Sequence, residues 1–141
     1  MKKADKLTRE ILKDFAGDNK LYKYVVRDIL ADSENYNGDT LKERIMSRLE
    51  DVAHGCSSGT VSGLINYTDT TAFFKKFKKE IIALINETAD AMGYSAGELL
   101  SSMNGWDNDD PFVEDVYNKN VLAWFAYEET AYMLRNDLEN C

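Results

Sequence analysis

The chain's single histidine stands two positions before one of its two cysteines, in His54-Gly55-Cys56-Ser57-Ser58-Gly59. A thiolate is a good nucleophile, and an adjacent imidazole can lower a thiol's pKa. Cysteine enzymes, however, bring base and nucleophile together from separate places in the fold and add an orienting group and an oxyanion hole. The spacing therefore favours a structural role: a helix C-terminus with His54 near the last carbonyls, Gly55 as the closing residue and Cys56 as a small core residue. Glu128 and Glu129 interrupt an apolar run, so at least one is expected to face inward and to need a partner. His54 can supply it, which makes His54, Cys56, Glu128 and Glu129 an expected structural polar contact, with no catalytic residue assigned. The alternative is a small cysteine-dependent enzyme using Cys56 and His54, with Glu128 or Glu129 orienting the imidazole.

Metal chemistry is not expected, and no cofactor is called for. A di-iron bundle needs two Glu-x-x-His motifs, and one histidine cannot supply them. A structural zinc site wants about four Cys or His ligands, and the chain has three. Asp107-Asn108-Asp109-Asp110-Pro111 resembles a calcium loop only in its acidity, because the required glycine is missing and a proline sits where the loop must turn. The phosphate-loop, dinucleotide and nucleophile-elbow glycine patterns are missing from the sequence.

The candidate surface is acidic. Asp107, Asp109, Glu114 and Asp115 flank Trp106, a combination suited to contact with a basic protein surface. Asp110 before Pro111 is a helix start, so part of this acidity also serves a helix N-terminus. Formal charge is −8 over 141 residues, with residues 1–60 neutral, 61–86 at +2 and 87–141 at −10. That asymmetry argues against direct nucleic-acid binding and permits docking on a basic partner. Lys75 to Lys79, broken by Phe77, is expected to be a solvated helix face with Phe77 turned inward.

These residues must be positioned by helices. One proline and eight glycines leave few tight turns for a sheet. Apolar residues recur at helical spacing: Leu7, Ile11, Leu12 and Phe15, ending at Gly17; Leu21, Tyr24, Val25 and Ile29, with Tyr22; Leu41, Ile45, Leu49 and Val52 behind an N-cap at Asp39. A long helix is expected behind Asp69, with Phe73, Phe77, Ile81, Leu84, Ile85, Thr88 and Met92 in register to Gly93. Ser95 and Glu98 form a capping box. The last segment takes its core from Val113, Val116, Val121, Trp124, Ala131, Leu134 and Leu138. Residues 121–127, Val-Leu-Ala-Trp-Phe-Ala-Tyr, are apolar around much of the helix, as in a helix with neighbours on several sides. The expectation is an all-α single domain over 1–141, a bundle of five or six helices with a central C-terminal helix. The apolar runs are far short of the roughly 18 residues that span a bilayer. No secretory leader is read at the start, and a reduced cytoplasmic setting is preferred to a Cys56–Cys141 disulfide.

The stretches around His54-Gly55-Cys56 and Tyr67-Thr68-Asp69-Thr70, and around Leu122-Ala123-Trp124-Phe125 and Glu128-Glu129-Thr130-Ala131, are similar to a family of small bacteriophage and prophage proteins of unknown function. The resemblance covers roughly residues 50 to 135 and leaves out the first fifty. It carries no catalytic residue. It implies the cytoplasm of a bacterial host and, by analogy, a non-enzymatic protein that binds the basic surface of a host protein or nucleoprotein, in the manner of an anti-CRISPR inhibitor.

Overall fold

Local chemistry bounds several of the helices in the computed structural model, which describes residues 3–53, 67–99 and 116–141. Helix α1 (Lys3–Ala16) ends where Gly17 takes a left-handed φ of 54°. Helix α2 (Lys20–Ser33) starts on Asn19, whose side chain accepts a hydrogen bond from the Tyr22 amide at 2.9 Å. Helix α3 (Leu41–Ala53) is opened by Thr40 rather than by the expected Asp39. Thr40 Oγ1 accepts from the Glu43 amide at 3.1 Å, while the Glu43 carboxylate takes the Asp39 amide and the Thr40 hydroxyl. This is a Thr-x-x-Glu capping box, and the reciprocal bonding is what outbids the aspartate one residue earlier. Another hydrogen bond to this helix start comes from α1, where Asp5 accepts from the Leu41 amide at 3.0 Å.

Helix α4 (Tyr67–Met92) begins before Asp69, which therefore lies inside the helix and does not cap it. It is kinked at Phe77, whose φ of −114° and ψ of 21° leave the helical range. The C-terminus is a Schellman motif: Gly93 has φ 77°, the Tyr94 amide reaches Ala89 O, and the Gly93 amide reaches Asp90 O. The Ser95–Glu98 capping box forms as expected and opens a further helical stretch at 96–99, burying Leu99. Helix α5 (Val116–Glu139) completes the chain's described helices. The fold class is all-α; among the described residues there are five helices and the 96–99 stretch, and no strand.

The contacts divide the chain into two compact units, residues 1–63 with 127–141, and residues 64–126. In the first, α1, α2 and α3 pack against one another. Their core holds Leu12, Leu21, Val25, Ile29 and the full expected set Leu41, Ile45, Leu49 and Val52. Leu7 is 56% exposed, so the expected α1 stripe is rotated. The buried line runs through Leu12 and Ala16, with Thr8 half-buried one turn before, and Leu7 lies about 140° around the helix from Leu12 at 100° per residue. From α5, this unit buries Tyr127, Thr130, Ala131, Leu134 and Leu138.

The second unit buries Phe73, Phe74, Phe77, Ile81, Ile85 and Ala89 along α4. Phe73 and Phe77 meet edge to face at 5.0 Å between ring centres. Phe77 does turn inward while Lys75, Lys76, Lys78 and Lys79 face solvent. Met92, expected in register, is 55% exposed; the helix is closing there and Ala89 takes the last buried turn. Leu122, Ala123, Phe125 and Ala126 are buried and Trp124 is half-buried, so this part of α5 is covered around most of its circumference. No helix among the described residues is long and apolar enough to cross a membrane.

Candidate functional site

Arg48 is the largest polar side chain buried among the described residues, at 1% exposure. It sits on the apolar line of α3, three residues after Ile45 and one before Leu49, so the helix carries it inward with its neighbours. Its Nε donates to Asp32 Oδ2 of α2 at 2.9 Å. Its guanidinium lies 5.9 Å from the centre of the Tyr36 ring, within reach of a cation–π contact. Nη1 is buried and meets no hydrogen-bond acceptor among the described residues.

Three more groups gather around this pair. Asp28, one turn before Asp32, has its carboxyl pushed up by burial, against the pull of Arg27, while Asp32 pushes it further. The Tyr127 hydroxyl from α5 faces Asp28 closely enough to favour its charged form. Among the described residues that hydroxyl completes no hydrogen bond of good geometry. Burial first, then the field of Asp28, raises the Tyr127 phenol far above its ordinary range. Burial and a hydrogen bond to Asp51 raise the Tyr36 phenol as well. Phenols pushed up in this way stay protonated near neutral pH. The cluster ties α2, α3 and α5 together through side chains from all three.

Three more contacts lie at the end of α5. Tyr22 donates its hydroxyl to Asp137 Oδ2 at 2.6 Å, and burial followed by that bond raises the Tyr22 phenol. Arg135 pairs with Glu50 of α3 and with Glu139 one turn on, the latter at 3.4 Å. The opposite side of the same helix presents Tyr132 and Met133, each 40% exposed. Sequence patterning left them out, although two apolar residues off the buried stripe are themselves the signal.

Of the residues singled out from sequence, Glu128 and Glu129 are both half-buried. Burial, then repulsion from Glu128, raises the Glu129 carboxyl. The fully buried polar residue of that stretch is Thr130, at 3% exposure, not a glutamate: Thr130 falls on the line of Tyr127, Ala131 and Leu134, and the glutamates fall to either side. His54, Cys56, Trp106, Asp107, Asp109, Asp110, Glu114 and Asp115 lie outside the described residues, as does Val113. Cys141 is exposed, with a free thiol. Among the described residues no group of three or more His, Cys, Asp or Glu side chains is placed to hold a metal ion.

Comparison with curated proteins and with solved structures finds no significant match in either. A family comparison does find one, and it reaches further than the resemblance seen from residue 50 onward. It takes in half of α1 and all of α2 to α5, and with them every residue of the Arg48 cluster. Because the match runs over residues 9–140, nearly the whole chain, the protein belongs to the family described as Domain of unknown function (DUF7222).

Proposed function

We propose that this is a non-enzymatic binding protein that docks its acidic C-terminal part on a basic surface of a protein or nucleoprotein. The observation that carries this reading is the segregation of charge. Residues 87–141 hold −10 of a total −8, and the acids described there reach the surface. Glu87, Asp90, Glu98 and Glu139 are exposed, and Glu128, Glu129 and Asp137 are half-buried. Exposed charge of one sign steers encounter with a surface of the other. The proposal also takes in Trp106 with Asp107, Asp109, Glu114 and Asp115, the acidic stretch read from sequence. The resemblance to bacteriophage and prophage proteins supports a narrower form, in which the partner is host machinery in the bacterial cytoplasm and the outcome is inhibition, as by an anti-CRISPR protein. Neither nucleic acid nor membrane is proposed as a direct partner.

The test is affinity capture with the full chain as bait in bacterial lysate, at low and at high salt, with partners identified by mass spectrometry. A basic protein retained at low salt and released at high salt supports the proposal. A capture set dominated by acidic proteins, or one insensitive to salt, counts against it. The competing enzyme built on Cys56 and His54 is separated by thiol reactivity, treated below.

A further inference from the structure

We propose that the Tyr132–Met133 face of α5 is a docking surface for a basic protein segment, the two side chains entering an apolar recess while the flanking glutamates meet lysine or arginine; this rests on the binding function proposed above. From Tyr127 onward α5 has two sides. One buries Tyr127, Thr130, Ala131, Leu134 and Leu138. The other follows Glu129, Tyr132, Met133 and Asn136, at helical spacing.

An aromatic and a methionine side by side are the residue types enriched at protein interfaces. Here they stand between Glu128 and Glu129 on one side and the Arg135–Glu139 pair on the other, with residues 128–141 at net −3. The platform beneath is held in place. Its inner stripe is buried, Tyr22 bonds Asp137, and Arg135 pairs with Glu50. A surface fixed before binding loses little freedom on association.

Charge complementarity selects the occupant. Anionic lipid headgroups and phosphate backbones are repelled by such a face. Burial, then repulsion from Glu128, disfavours the charged form of Glu129, and a cation placed beside Glu129 favours that form again.

The test uses the 15N-labelled full chain and, as probe, a synthetic amphipathic helix of leucine and lysine. Amide shifts in a low-salt titration should concentrate on residues 128–140. Tyr132→Ala with Met133→Ala should weaken binding about tenfold or more, as the loss of interface anchors does. Both side chains are exposed, so far-UV circular dichroism should show an unchanged fold. Glu128→Gln with Glu129→Gln is the second variant, and it should weaken binding and flatten its salt dependence. Shifts centred on 87–98, or binding indifferent to both double variants, would overturn this surface and leave the acidic binding function standing. No shift anywhere at low salt would remove both. A dimer in sedimentation that Tyr132→Ala dissolves would assign the face to a second copy of the chain and overturn the proposal.

Discussion

Asp32→Asn should destabilise the protein by about 2 kcal/mol, and the reason lies in Arg48 rather than in Asp32. Removing one partner of a fully buried ion pair costs about 3–5 kcal/mol because the other charge is stranded. Arg48 is buried, but the Asp32 side chain is 40% exposed, so water reaches one end of the pair and the cost falls. A single hydrogen bond to a charged group, about 1.5–3 kcal/mol, is then the better scale. Arg48→Met keeps most of the volume and removes the buried charge. It loses the Tyr36 contact, about 0.5–1 kcal/mol, and should leave stability within about 1 kcal/mol of the parent. In the Arg48→Met background Asp32→Asn should cost nearly nothing, which gives a coupling of about 2 kcal/mol. Urea unfolding followed by far-UV circular dichroism measures all four corners. If Asp32→Asn costs the same with and without Arg48, the buried guanidinium is not what makes Asp32 matter, and the role given to this cluster is wrong.

Three other outcomes follow from single sites. Gly38 has φ 151°, and an added Cβ would come within 2.8 Å of Glu43 Cβ and 3.0 Å of the Arg44 amide nitrogen; Gly38→Ala should cost about 2–3 kcal/mol. At Gly17 the φ is 54° with open space around it, so Gly17→Ala should cost only about 1 kcal/mol, and equal losses at the two sites would contradict the steric argument. The folded Glu129 carboxyl is raised, so the native state holds its proton to higher pH than the unfolded chain and stability falls as pH rises from about 4, the ordinary carboxylate range. Glu129→Gln should remove that part of the slope in pH-dependent unfolding and raise stability at neutral pH. A native thiol titration should show Cys141 reacting at once, since it is exposed, and Cys56 only on unfolding; two fast thiols, with loss of function on Cys56 alkylation, would favour the enzyme.

The helices were legible because their apolar spacing and punctuation agree. Leu41, Ile45, Leu49 and Val52 are buried as their spacing requires, and Gly17 and Gly93 close helices in left-handed backbone. Starts were harder, since capping depends on which side chain reaches which amide. The Thr40–Glu43 pattern was in the sequence, but the nearby Asp39 is an equally good oxygen acceptor until the geometry is known. Arg48 was the signal most worth reading, a cation on an otherwise apolar helical line. Its partner could not be named from sequence, because Asp32 comes from another helix and is one of many acids. Leu7 shows the opposite error, since helical spacing defines a stripe but not which edge of it meets the neighbouring helices.

The central claim, docking through acidity on a basic partner, is tested most directly by the salt dependence of the association rate with the captured partner. Electrostatic steering raises on-rates by about 10- to 1,000-fold and fades with ionic strength. The rate should therefore fall about tenfold or more between low and high salt. It should fall again when Asp107, Asp109 and Asp115 are replaced by Asn, with Asp110 kept for its place before Pro111. A rate that is unchanged by salt and by the three substitutions would contradict the account.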